Sequence, residues 1–531
     1  MNSQQNNLAV TDDAFLLRRV DWRFLLSTER VKRSICFRDG SLARGVTAIS
    51  DFCTVETESR AGIHDDDFDL AVAEKPDETV LRTAFAALRP GGVSYTEWQS
   101  WRVGGARGIQ HRLEAAGFTN IKLYWVFPSP QRPRLWIPLQ MQLAPGRYIA
   151  NWEFTGDGPL QRVTRKMFML VFSFLMASGF VPYIGAVAHK SISAQDGMAI
   201  QDVFSVIQAE WAHFHPEIPV EKLRYLPQTG GTSPMNKIVT RVFVEPESSP
   251  CWVVKLSRLQ ENIPSLQCEQ ELLKRIAQAN NSSAFNLRVP EPVFSCAHNG
   301  ILLYGQTALA GNSLSRMIKQ DNLRPYALRL AEWQAALMEC SQDWPRETTS
   351  EAYITQLVDG LEAELVGKEF SVEEFSRVRA IVSRLNGLPM TCAHNDFTVW
   401  NIIEMDGNLG VIDWVDATDS GLPLLDLIYA LSSLVLIFKN VWEASGAINI
   451  YRNAIHPTTP MGLIFNESLS QYVLQTGLDP ELVAPLRMLT WMLRCNFELK
   501  KHQIKANAPI KSHQSMYLAL WKVELDLQKE I

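Results

Sequence analysis

None of the eight cysteines forms a C-x-x-C pair, and no Cys/His group has zinc spacing. They are scattered at 36, 53, 251, 268, 296, 340, 392 and 495. The expectation is therefore reduced, mostly buried thiols in a cytoplasmic protein. Positive charge is not in excess either, since 51 Lys and Arg face 57 Asp and Glu, a net charge of -6. A nucleic-acid binder needs a basic surface to neutralise phosphates, so the composition speaks against that class. The opening residues, MNSQQNNLAVTDD, lack a basic segment followed by an apolar one, and no secretory signal is read there. No internal repeat and no low-complexity run is visible. What remains is a 531-residue chain with 46% hydrophobic and 20% charged residues. That is globular, and too long for one core, so two or three domains are expected.

One apolar run is long enough to cross a bilayer, residues 167–188 (MFMLVFSFLMASGFVPYIGAVA). Gly179, Pro182 and Gly185 interrupt it. It reads as a helix to about Ser178, a turn, and a strand over 183–188. A peripheral membrane contact through 167–188 is the alternative reading. Ahead of this run, strand and helix patterns alternate. Residues 69–73, 93–97 and 121–127 read as strands, and 78–88 and 108–116 as helices, the second closed by Gly117. Strands alternating with helices imply an α/β sheet. Residues 196–222, mixed and polar with Pro216 and Pro219, are expected to be a linker between a domain at 1–195 and one at 223–531.

The most informative segment is His394-Asn395-Asp396-Phe-Thr-Val-Trp-Asn401, an H-x-D-x-x-x-x-N pattern. Twelve residues past Asn401, the apolar strand 409–412 delivers Asp413, followed by Trp414. Phosphoryl transfer asks for such a set: an Asp to orient the attacking hydroxyl and accept its proton, and oxygen ligands for the Mg²⁺ that bridges the phosphates. Asp396 is the candidate catalytic base, Asp413 the main metal ligand and Asn401 the second. His394 reads as a structural hydrogen-bonding group of the loop. Upstream, Gly230 and Gly231 stand in a turn that ends at Asn236. An alternating strand, 237–244, follows, and then a second strand, 251–256, which carries Lys255. That order suits a phosphate-covering loop and a lysine reaching the α/β phosphates. In the helix expected over 265–277, Glu269 is preferred to Glu271 as the partner of Lys255. Residues 302–307, with Gln306, read as the strand into a hinge where backbone groups would meet adenine.

Taken in order, these segments resemble the aminoglycoside phosphotransferase and choline kinase family over about 223–520. The family pairs a GG-x-S/T-N-type loop with a lysine on the third strand, an H-x-D-x-x-x-x-N loop and an I-D-W/F strand end. The resemblance implies a two-lobed protein-kinase-like domain, with an N-lobe over 223–310 and a C-lobe over 311–531. It also implies ATP and Mg²⁺ as cofactors and a hydroxylated small molecule (sugar, aminocyclitol or choline-like alcohol) as acceptor. Asp426 matches the family's structural Asp. This chain departs from the pattern at Asn395, where the family often has Gly, and at Phe397 and Trp400, which are bulkier than the usual run. Those departures bear on the acceptor pocket.

The segments around Asp67–Asp69, Gly91-Gly92 and Ala116-Gly117-Phe118 resemble the latter half of a class I S-adenosylmethionine methyltransferase, a Rossmann-like α/β sheet. The front half departs from it. Residues 34–37 read as the first strand and 46–49 as the next, with too few residues between for a crossover helix, and no G-x-G turn follows the first strand. A degenerate methyltransferase-like domain is the expectation. The whole reads as a small-molecule kinase. A bifunctional methyltransferase-kinase and a nucleotide-binding pseudokinase scaffold are the alternatives.

Overall fold

The computed structural model describes residues 16–26, 31–56, 67–139, 143–153, 159–191, 202–229, 237–257, 260–282, 286–439, 444–505 and 515–528. Contacts divide the chain into two compact units. The first comprises Met1–Pro264 and Val293–Ala308, the second Ser265–Pro292 and Leu309–Ile531.

The first unit is built on one twelve-stranded sheet. Its strands in chain order are β1 (Val31–Cys36), β2 (Ser50–Val55), β3 (Phe68–Glu74), β4 (Leu88–Gln99), β5 (Thr119–Phe127), β6 (Leu135–Pro138), β7 (Tyr183–His189), β8 (Leu223–Thr229), β9 (Ile238–Val244), β10 (Trp252–Leu256), β11 (Pro292–His298) and β12 (Ile301–Thr307). Across the sheet the order is β11-β12-β10-β9-β8-β6-β5-β7-β4-β3-β1-β2. The pairings β2–β1, β1–β3 and β3–β4 are parallel. Beyond them β7 lies antiparallel between β4 and β5, and antiparallel pairing continues through β6, β8, β9, β10 and β12.

The front of the chain corrects one expectation. Residues 46–49 are not a strand but the end of the helix Ser41–Ile49, which crosses from β1 to the parallel β2. Leu42, Val46 and Ile49 recur at helical spacing and are buried together. That 3.6-residue period, and not the short apolar run at its end, is the signal that decides. The helices Glu78–Ala87 and Gly105–Ala115 stand near the expected places. Gly117 closes the second with φ +101, and a Cβ there would stand 2.9 Å from the Phe85 ring. The run 167–188 forms the end of the helix Pro159–Ser178 and then β7. Among the described residues no helix is long and apolar enough to cross a membrane.

Within 196–222 the chain forms the helix Val203–Phe214, whose first turn is capped by Asp202 accepting from the Ser205 amide at 2.8 Å. Ile207 and Trp211 are buried in the same core as Tyr95, Val126 and Val254, and Trp211 packs on Trp252 at 4.6 Å between ring centroids. This helix and the β6–β8 pairing make the front of the chain and β8–β12 one packed body. The division by contacts accordingly falls at Pro264 and not within 196–222.

The second unit is largely helical, with Leu323–Ser341, Ser350–Leu365, Val372–Ser383, Leu425–Lys439, Ala444–Ile455, Pro460–Thr476, Val483–Lys505 and Met516–Leu527. Two small sheets interrupt the helices. One joins β13 (Asn312–Ser313), β15 (Ile402–Met405) and β16 (Asn408–Val411); the other joins β14 (Thr391–Ala393) and β17 (Thr418–Gly421).

Candidate active site

The loop after β14 is held by backbone bonds to one buried carboxylate. Asp426, in the first turn of Leu425–Lys439, accepts the amides of His394 at 2.6 Å and Asn395 at 3.1 Å. Burial pushes this carboxyl up to about 6, while the two amides and the Arg494 charge pull the other way. Asn395 has φ +59, the left-handed region that glycine enters freely and asparagine tolerates best among the others. Its side chain also donates to the Asp416 carbonyl at 3.0 Å. Asn at this position therefore keeps the backbone turn that a glycine would give and adds a tether.

His394 is fully buried. Its Nδ1 accepts from the Asp396 amide at 3.2 Å, so Nε2 carries the proton and donates to the Ile412 carbonyl at 3.0 Å. The ring thus bridges the loop to the segment that leads from β16 into Asp413, which is a structural role. Phe397 is buried and stacks on Trp333 at 5.2 Å, so its bulk belongs to the core; Trp400 is exposed.

Asp396 is two-fifths exposed. The Asn401 amide nitrogen donates to its Oδ2 at 2.8 Å and to its backbone oxygen at 3.0 Å. With Nδ2 so engaged, Asn401 Oδ1 is the atom left for a ligand. The hairpin β15–β16 pairs Ile402 with Val411, and the Ile412 amide donates to the Asn401 carbonyl at 2.9 Å. Asn401 and Asp413 therefore flank the open end of one hairpin. Asp413 has φ +69, an unusual conformation for a non-glycine residue and one that recurs at functional sites. The next amide, that of Trp414, donates to Glu269 Oε1 at 3.2 Å. Glu269 is fully buried on the helix Ile263–Ser282, whereas Glu271 is exposed and pairs with Arg275 at 3.3 Å.

The chemistry of Asp413 and Asn401 fits Mg²⁺, which takes one or two protein oxygens and completes its shell with phosphates and water. Among the described residues no group of three or more His, Cys, Asp or Glu side chains forms a closed metal cage.

The remaining candidates lie in the first unit or outside the described residues. Lys255 is buried on β10, opposite Val239 of β9 and Tyr304 of β12. Gln306, on β12, is buried, and its side-chain oxygen has no hydrogen-bond partner among the described residues. Gly230, Gly231 and Asn236 lie outside the described residues.

One residue escaped the sequence reading. Arg494, buried on the helix Val483–Lys505, donates to the Asn395 carbonyl and stands 4.0 Å from Asp396 Oδ1. Its guanidinium lies over Tyr429 at 4.4 Å and Phe497 at 4.6 Å. Burial works against the charge, but Tyr429, Asp396, Tyr517 and Asp426 outweigh it, and the guanidinium is held more strongly protonated than usual. The signal in the sequence was a lone arginine inside the apolar run Trp491-Met-Leu-Arg494-Cys. Nothing in that run says that it folds back on residue 396.

Residues 237–448 match the model of the phosphotransferase enzyme family (APH). Over those residues the C-terminal part of the chain is similar to that family. Among solved structures, the chain is similar to the ADP-bound aminoglycoside phosphotransferase APH(2'')-Ib, with 13% identity, a TM-score of 0.35, and coverage of 61% of this chain and 98% of that one. It is similar to aminoglycoside phosphotransferase APH(4)-Ia at 13% identity and a TM-score of 0.36, covering 60% and 98%. It is likewise similar to a choline kinase from Cryptosporidium parvum Iowa II at 10% identity and a TM-score of 0.35, covering 62% and 94%. No curated protein matches the chain.

Proposed function

We propose that this protein transfers the γ-phosphoryl group of ATP, with Mg²⁺, to a hydroxyl of a small molecule such as a sugar, an aminocyclitol or a choline-like alcohol. The observation that carries this reading is the bond from Asn401 Nδ2 to Asp396. It orients the carboxylate and leaves Asn401 Oδ1 at the same hairpin end as Asp413. Asp396 Oδ1 orients the acceptor hydroxyl and takes its proton as the oxygen attacks phosphorus. Arg494 places a positive charge 4.0 Å from Asp396 Oδ1 and fixes the loop through the Asn395 carbonyl. Asp413 and Asn401 would hold Mg²⁺, which supplies charge neutralisation of the phosphates. Lys255 would contact the α/β phosphates, Gly230, Gly231 and Asn236 would cover them, and the strand end at Gln306 would meet adenine. All eight cysteines are free thiols, which suits a cytoplasmic enzyme. The test is an ATP-consumption screen over hydroxylated metabolites, with Asp396→Asn as the control. If no acceptor raises ATP turnover above that control, the pseudokinase scaffold takes this reading's place.

For residues 1–195 we infer a methyltransferase-like sheet that does not use the cofactor, ahead of the kinase-like region from 223. The antiparallel β7 inserted between β4 and β5 supports the likeness. The crevice at the carboxyl ends of parallel strands is where such sheets bind ligands. Here Arg19 donates from Nη2 to Glu74 of β3 and to Glu97 of β4, both at 2.7 Å, and Trp22 stacks on Tyr95 at 4.0 Å. These side chains, contributed by the chain's own opening segment, take up room at the ends of β3 and β4. Calorimetric titration of the full chain with S-adenosylmethionine tests this. Saturable micromolar binding would promote the bifunctional enzyme instead.

A further inference from the structure

The helix Pro159–Ser178 is apolar on two opposite sides. Inward, Phe172 and Met176 are buried with Ile137, Leu226 and Phe243 in a core cluster. Outward, Val163, Met167, Leu170, Val171 and Phe174 are each more than half exposed. Their spacing puts them on one face of the helix. Together they leave on the order of 500 Å² of apolar side chain open, near the upper limit for a monomer with no partner there. A helix apolar all round is normally buried on all sides. This one uses only half of its circumference inside the protein.

Charge identifies the occupant. The helix carries Arg162, Arg165 and Lys166 and no carboxylate. Arg162 and Lys166 are exposed at its first turns. At its other end Phe180 is half-exposed, and the Ala106 amide ties the neighbouring helix to the Gly179 carbonyl. That neighbour is preceded by the exposed Trp101, with the Arg102 guanidinium 4.8 Å over its ring. An apolar stripe with cations at both ends and an interfacial tryptophan is the composition that lies in the plane of a bilayer, its polar rim on the headgroups. We propose that the outer face of Pro159–Ser178 rests on an anionic lipid surface, as a peripheral and not a spanning contact.

The test is co-sedimentation of the full chain with vesicles of phosphatidylcholine containing about one-third phosphatidylserine, compared with pure phosphatidylcholine. Binding to the anionic vesicles is expected, at least tenfold weaker on neutral ones or at about 0.5 M salt. Replacing Leu170 and Phe174 by Gln removes two solvent-facing side chains and should lower binding at least tenfold. Replacing Arg162 and Lys166 by Gln should cost roughly fivefold per cation. Absence of the wild-type chain from the anionic pellet would overturn the proposal, as would undiminished binding of the Leu170→Gln/Phe174→Gln chain. A solution dimer that this double substitution turns into monomers would also overturn it, by assigning the face to a second copy of the chain.

Discussion

Asp426 offers a perturbation in which stability and activity separate. Its carboxyl moves from an ordinary 3.8 to about 6 in the fold, chiefly through burial. A displacement of that size corresponds to about 3 kcal/mol. The sign follows from which state holds the proton. Between pH about 4 and about 6 the folded protein binds it more tightly than the unfolded chain. The contribution of this group to stability is therefore greatest below pH about 4 and is lost as the pH rises through about 6. At neutral pH the buried charge costs stability, and what it gives in return is the clamp on the amides of His394 and Asn395. In Asp426→Asn the charge is gone, and the single amide oxygen serves one N–H well and leaves the other short of an acceptor, a loss of about 1–3 kcal/mol. The two effects nearly cancel near pH 7. Urea unfolding of wild type and variant from pH 4 to 7 should show the variant gaining about 3 kcal/mol relative to wild type across that range. Turnover should nonetheless fall by about 10- to 100-fold, because a displacement of about 1 Å in the carboxylate of Asp396 is enough for such a loss. A difference in stability that is flat with pH, or a variant that gains on wild type as the pH falls, would refute the reasoning. So would a variant with normal turnover.

Asp396→Asn should lower kcat by about 10²–10⁴ while ATP affinity stays close to wild type, measured by steady-state kinetics and nucleotide titration; retention of more than about a tenth of the rate would remove Asp396 from the role of base. Asp413→Ala should abolish turnover at any Mg²⁺ concentration, whereas Asn401→Ala should recover in part as Mg²⁺ is raised, because the stronger ligand remains. A Mg²⁺ titration of both variants separates these outcomes, and normal Mg-ATP turnover in Asp413→Ala would sink the metal assignment. Arg494→Gln should cut kcat about tenfold or more with little change in ATP affinity, and Arg494→Lys should not restore it, since a lysine cannot reach the Asn395 carbonyl and Asp396 with a planar fork. Rescue by Lys would reduce the residue to a mere charge. A chain beginning at Gln208 loses the Asp202 cap, the buried Val203 and Ile207, and β6, one of the two strands that pair with β8. It should be destabilised by several kcal/mol at about 2 kcal/mol per large buried side chain. A sharp thermal transition at the full-length temperature would contradict this.

How much of the site was legible depends on how local each signal was. The loop and hairpin of the second unit were readable because their chemistry is written in one stretch of sequence. Asp396, Asn401 and Asp413 lie within eighteen residues, and turn, strand and strand end follow one another. Asn395 looked like a departure only because its backbone conformation was invisible; φ +59 shows it doing what glycine does. Arg494 lies ninety-eight residues beyond Asp396, and only the packing of the helix Val483–Lys505 returns it to the loop. The helix Ser41–Ile49 was missed for a different reason. Its final turn, Val46–Ile49, ends in a short apolar run next to a true strand, and a four-residue window cannot tell the two periods apart.

The expected linker failed in the way that composition arguments fail. Polar residues and two prolines mark 196–222 as exposed, and on one side of the helix Val203–Phe214 they are right. But a helix needs only a stripe to be buried. Phe204, Ile207 and Trp211 supply that stripe, and they join the core beneath β8, β9 and β10. Once β8 pairs with β6, the strand that carries Lys255 belongs to the same sheet as β1–β5. Any movement of β10 must then strain or carry a body of twelve strands. That gives the front of the chain a physical role: it stiffens the sheet from which Lys255, the proposed phosphate contact, projects.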